Sequence, residues 1–198
     1  MARRAFPSAR IISSSMIGLV LIGMTVSAAD RGEPELPMRI PVLVVKYFPV
    51  QGDRIDQKVT GDWGAPLDET RKKTEQLTHE VLTALQEGSR YHGYKDEAAK
   101  ASLAYRVLKT FEFLEPLPTV ARSGAGAPMT DYNKIMQRVD IKQWVEQQGV
   151  KEVWIWGYHG GVVGLWESNM AGPFGDISNS SRDPNDLPVL KKTYTVYH

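Results

Sequence analysis

Apolar and polar positions along this chain switch between two periods. Ile40 to Phe48 contains the almost continuous apolar run Val42-Leu43-Val44-Val45, which suits a central strand covered on both faces. A polar loop with several glycines follows to Pro66. Leu77, Val81, Ala84 and Leu85 then recur at helical spacing and predict a long helix with that stripe buried. Asp68 and Glu69 favour its N-terminal end, and Gly88 stands where a helix terminates.

Leu103 to Leu114 alternates instead. Tyr105, Val107, Phe111 and Phe113 fall on one face and Arg106, Thr110 and Glu112 on the other, broken only at Lys109, so the segment predicts a half-buried strand near a sheet edge. Pro116 to Met129 reads as a loop. Asp131 to Gln148 returns to helical spacing through Tyr132, Ile135, Met136 and Val139, then shifts face to Ile141, Trp144 and Val145. That shift predicts a bend near Asp140. Gly149 closes the segment, Lys151 to Trp156 is a third strand, Gly172 to Pro188 is a polar surface loop, and Thr193 to Tyr197 is a last strand.

The order strand, helix, strand, helix, strand predicts an α/β fold with a layered, mainly parallel sheet, built as one domain from residue 29 to residue 198. No helix follows the last strand, so the fold is expected to be incomplete at its C-terminal end.

The N-terminus changes the picture of where such a domain resides. Arg3, Arg4 and Arg10 precede the apolar stretch Met16 to Val26 and then Ser27-Ala28-Ala29, the pattern of a secretory signal peptide over residues 1–28. The apolar stretch is far shorter than the roughly twenty residues of a membrane span. Cleavage would leave a secreted chain, periplasmic or extracellular, of about 170 residues, enough for one core without disulfides. There is no cysteine, which excludes thiol chemistry and Cys-based zinc sites. Loss of three arginines from a net charge of +1 leaves about −2, and the remaining charges are mixed. Nucleic acid is not an expected partner, nor is a membrane after cleavage.

Candidate chemistry gathers after the third strand. Trp154, Trp156, Tyr158 and Trp166 accompany His159, Glu167, Ser168 and Asn169, and ligands of parallel sheets bind beyond the C-terminal strand ends. Glu167 beside Trp166 has the composition of a general acid whose carboxyl is desolvated by an aromatic wall. His159 is the candidate auxiliary catalytic group. Tyr158, Trp166, Ser168 and Asn169 are candidate ligand contacts, joined by Asp53 from the end of the first strand. Period-two spacing favours core packing for Trp154 and Trp156 and leaves Trp166 as the better contact. His79-Glu80 lacks the second histidine of a zinc-protease helix, no Gly-x-Ser-x-Gly elbow occurs, and the glycines after Trp156 miss the dinucleotide spacing. No metal site and no cofactor are expected.

Val150 to Trp156 followed by Glu167-Ser168-Asn169-Met170-Ala171-Gly172-Pro173 resembles a family of secreted bacterial proteins of uncharacterised function. In that family a Glu-Val-Trp-x-Trp strand leads to a Glu-Ser-x-Met-x-Gly segment. Tyr47-Phe48-Pro49 and Gly88-Ser89-Arg90-Tyr91 fit the same pattern. The resemblance implies export, with no particular reaction. Together these readings lead to the expectation of a carbohydrate- or cell-wall-directed hydrolase, with a non-catalytic glycan-binding or surface-interaction module as the alternative and extracellular glycan as the partner in either case.

Overall fold

The computed structural model describes residues 37–90, 98–121, 126–177 and 186–198; the signal-peptide reading concerns residues outside these. In chain order the elements are β1 (Met38–Tyr47), β2 (Val50–Gln51), β3 (Arg54–Ile55), α1 (Gln57–Thr60), α2 (Leu67–Gly88) and β4 (Leu103–Phe113). Then come β5 (Thr119–Val120), β6 (Met129–Thr130), α3 (Tyr132–Arg138), a π-helical turn Gln143–Gln147, β7 (Glu152–Trp156), β8 (Ser168–Gly172), β9 (Gly175–Ile177) and β10 (Tyr194–Tyr197).

Six strands form one mixed sheet in the order β4-β1-β7-β10-β8-β9. The first four are mutually parallel. Beyond them, β8 runs antiparallel to β10 and β9 antiparallel to β8, so the expected mainly parallel sheet carries an antiparallel hairpin at one edge. This hairpin occupies the start of what the polar composition marks as surface loop. Its pairing to β10 supplies the backbone hydrogen bonds that a chain without apolar alternation can still make.

β1 lies between β4 and β7, and its side chains are shared between two cores. Leu43, Val45 and Tyr47 pack with Ile135, Met136 and Val153 on one face. Ile40, Val42 and Val44 pack with Trp154 on the other. Each fully buried aliphatic side chain contributes about 1.5–3 kcal/mol, and no residue from Val42 to Val45 is more than 1% exposed.

Two departures from the hydrophobic pattern have clear causes. In β4 the register slips between Val42 and Leu43, so that Val42 faces Val107 while Leu43 faces Lys109. Leu108 is the extra residue of a bulge. Tyr105 and Val107 therefore join the Trp154 core, whereas Phe111 and Phe113 join the opposite one, because one inserted residue reverses which face every later side chain takes. The interruption at Lys109 marks this point.

In α2 the buried stripe is not the predicted one. Thr70, Thr74 and Thr78 are buried, while Val81 and Leu85 are each 40% exposed. The hydroxyls of Thr74 and Thr78 donate to the carbonyls of Thr70 and Thr74, at 3.0 and 2.7 Å, so these two are satisfied within the helix and can face the sheet, while the buried Thr70 hydroxyl has no hydrogen-bond partner among the described residues. Arg71 fixes the helix to β4 through Glu112, with its Nε 2.9 Å from Oε1. Gly88 is still helical, and the cap is Ser89. The predicted bend falls at Asp140, whose φ of 51° ends α3 in the left-handed region.

Deletion of Leu108 should remove the bulge and place Phe111 and Phe113 on the wrong face. Urea unfolding followed by circular dichroism should show loss of a cooperative transition, whereas Leu108→Ala should cost only about 1 kcal/mol.

Candidate functional site

Strand order places a crevice at the C-terminal ends of β1 and β7, since β4 lies on one side of β1 and β7 on the other. Such a reversal of strand order leaves a gap between the segments that follow the two strands. Here that gap is lined from both sides. After β1 the chain supplies Phe48, Asp62 and Trp63; the first half of α2 supplies Glu69, Thr70, Lys73 and Thr74; after β7 come Trp156 to Gly160. The cavity has a volume of about 510 Å³. Phe48 and Trp63 meet edge to face, with ring centroids 5.7 Å apart.

The two loops are held in backbone contact. A side chain on Gly160, which has a positive φ of 36°, would strike the Thr60 carbonyl; one on Gly61 would lie 2.8 Å from the Gly160 carbonyl. Glycine is therefore required sterically at the floor of the crevice. Thr60 closes the same corner, its hydroxyl donating to the Trp63 carbonyl at 2.5 Å.

A second cavity, of about 570 Å³, extends from the same Trp156–His159 segment along the α2 side of the sheet. Val81 and Leu85 of α2 form one wall, and Tyr105, Glu152, Trp154 and Tyr197 form the sheet side. Burial holds the Glu152 carboxyl above the usual carboxylate range, opposed by hydrogen bonds from Trp154 and Tyr105. The Trp154 indole N–H donates to Glu152 Oε2 at 2.8 Å.

His198, which lines the second cavity, packs edge to face on Tyr132, with its Nδ1 3.4 Å from the phenol oxygen. Burial, reinforced by the nearby His159, pushes the His198 pKa down to about 4, so the ring is neutral near pH 7. A side chain on Gly157 would lie 2.7 Å from His198 Nε2. Among the described residues, that nitrogen and the Trp156 indole N–H are buried without hydrogen-bond partners. Unpaired buried groups cost stability and concentrate where structure serves something besides folding.

The candidate residues separate into two groups. Tyr158 and His159 line both cavities; Tyr158 is buried and its hydroxyl accepts from the Leu117 N–H at 3.1 Å, while His159 is exposed. Trp166, Glu167, Ser168, Asn169 and Asp53 line neither cavity. Trp166 packs against the core, its N–H donating to the Tyr132 hydroxyl at 2.7 Å and its carbonyl accepting from that hydroxyl at 3.1 Å. Glu167 and Ser168 are exposed, so the aromatic desolvation expected of Glu167 is missing. Asn169 is buried and donates to Asp186 at 2.7 Å, anchoring β8. Asp53 is exposed, and its carbonyl accepts from the Leu67 N–H at the start of α2. Trp156, read as core, is the half-buried indole shared by both cavities. Trp63, Glu69 and Lys73 carried no recognisable spacing, because only tertiary packing brings them to the crevice, and Glu152 lines the second cavity from β7.

Among the described residues no three His, Asp or Glu side chains converge to hold a metal ion. Because the native pKa of His198 lies below its unfolded value near 6.5, its stabilisation should be complete above that pH and be lost as pH falls through about 4. Urea denaturation at steps between pH 7 and pH 4 should show this loss, on the order of 3 kcal/mol, and His198→Asn should flatten that part of the profile.

Comparison with protein-family models, with curated proteins and with solved structures finds no match to this chain.

Proposed function

We propose that this is an exported glycan-binding protein whose ligand lies in the crevice at the ends of β1 and β7. The observation that carries the reading is the composition of the 510 Å³ cavity, with the Trp63 and Trp156 indoles beside Asp62, Glu69, Thr70, Lys73 and His159. Aromatic faces cover the apolar face of a sugar ring, and a rim of short polar groups orients its hydroxyls. The volume suits a ligand of one or a few rings. Export, which the basic and apolar N-terminal pattern supports, would give such a site access to cell-wall and extracellular glycans.

Hydrolysis is the second reading, and one observation favours it: two carboxyl side chains, Asp62 and Glu69, line the same cavity. Glycosidases act with a carboxyl pair across the scissile bond. Binding takes precedence because both residues are exposed, whereas the acid of a glycosidase is ordinarily set in an apolar pocket.

Affinity electrophoresis in gels containing soluble polysaccharides or solubilised peptidoglycan tests both readings. The chain should be retarded without shortening the glycan. Trp63→Ala should weaken retention about tenfold, and Glu167→Gln should leave it unchanged. Release of new reducing ends, abolished by Asp62→Asn or Glu69→Gln, would establish hydrolysis instead. Free migration through every glycan tried would contradict both readings.

A further inference from the structure

The cavity over the α2 side of the sheet has an unusual charge balance. Among the described residues its lining includes one acidic side chain, Glu152, and no lysine or arginine. Around that carboxyl the walls are rings: Trp154 donates to it through its indole N–H, and Tyr105 and Tyr197 line the same space. The Tyr105 and Trp154 ring centroids are 6.2 Å apart. At the far side Val81 and Leu85 leave apolar surface facing the space.

These features specify a ligand class. A partly buried carboxylate without a cationic neighbour favours a counter-charge brought by the ligand, since removal from water leaves the negative charge poorly compensated. A hydrated metal ion would need several oxygen ligands, and among the described residues this lining provides a single acidic side chain. An organic ammonium ion needs fewer, because its charge is spread under an apolar skin that the faces of Trp and Tyr attract. An uncharged apolar ligand would use the walls but leave Glu152 uncompensated.

We propose that this cavity binds an organic ammonium ion, with the cationic group seated against Glu152 among Tyr105, Trp154 and Tyr197 and any alkyl or aryl body lying on Val81 and Leu85. The site is separate from the glycan crevice in its chemistry and does not depend on that reading. The two share only the segment from Trp156 to His159, so occupation of one can be followed without Trp63.

Choline and its uncharged isostere 3,3-dimethylbutan-1-ol provide the direct test, titrated into the full chain and followed by tryptophan fluorescence. Choline should bind saturably and at least about tenfold more tightly than the alcohol. Glu152→Gln should abolish that preference, while Trp63→Ala should leave choline binding unchanged. Equal affinity for the two probes, absence of saturable choline binding, or a preference that survives Glu152→Gln would overturn the proposal. Self-association that blocks the cavity, detected by sedimentation velocity, would assign it to a second copy of the chain and overturn it as well. Should Glu152→Gln fail to fold, the comparison of the two probes on the unaltered chain decides the matter alone.

Discussion

Burial of β1 on both faces is the constraint from which the rest of the architecture follows. A strand with Val42, Leu43, Val44 and Val45 all removed from water needs a neighbour along each edge and cover on each face. β4 and β7 supply the edges as parallel partners. α2 and α3 contribute to the two different faces. Parallel pairing on both sides brings the ends of β1 and β7 together, and the segments that leave them enclose the crevice. The same layout explains why α2 can carry threonines toward the sheet and still leave Val81 and Leu85 facing a cavity.

The candidate site is held together by close backbone contacts. Backbone contact between Thr60–Gly61 and Gly160 fixes the two loops against each other. A close approach at Gly157 admits the His198 ring, which is kept neutral by burial and leaves a nitrogen without a partner. That nitrogen and the unpaired indole N–H of Trp156 both belong to residues lining the second cavity, and Trp156 is common to both cavities. The segment thus borders a crevice of mixed aromatic and polar character and an apolar chamber in which Glu152 is the acidic side chain among the described residues.

Local pattern made the central elements legible. The apolar run of β1, the alternation of β4 and the face shift at Asp140 each report a physical condition experienced by the residue itself, and each has its counterpart in the fold. The β4 bulge was visible only as an irregularity at Lys109, because the partner register that defines it belongs to β1. The β8–β9 hairpin escaped notice since its pairing replaces a hydrophobic signal. For the site, proximity in sequence misled. Trp166 and Glu167 adjoin in the chain, yet the first is tied into the core by Tyr132 and the second points to water. Trp63, Glu69 and Lys73 converge on Trp156 through tertiary packing, which leaves no local trace.

The central claim is that the crevice between β1 and β7 receives the ligand. It is tested most directly by following the indole N–H resonances of the five tryptophans during titration with a glycan fragment that the chain retains. The account predicts saturable shifts at Trp63 and Trp156, with Trp144, packed on Phe111 away from the crevice, unaffected. Shifts confined to Trp144 or Trp166, with Trp63 and Trp156 unchanged, would contradict it.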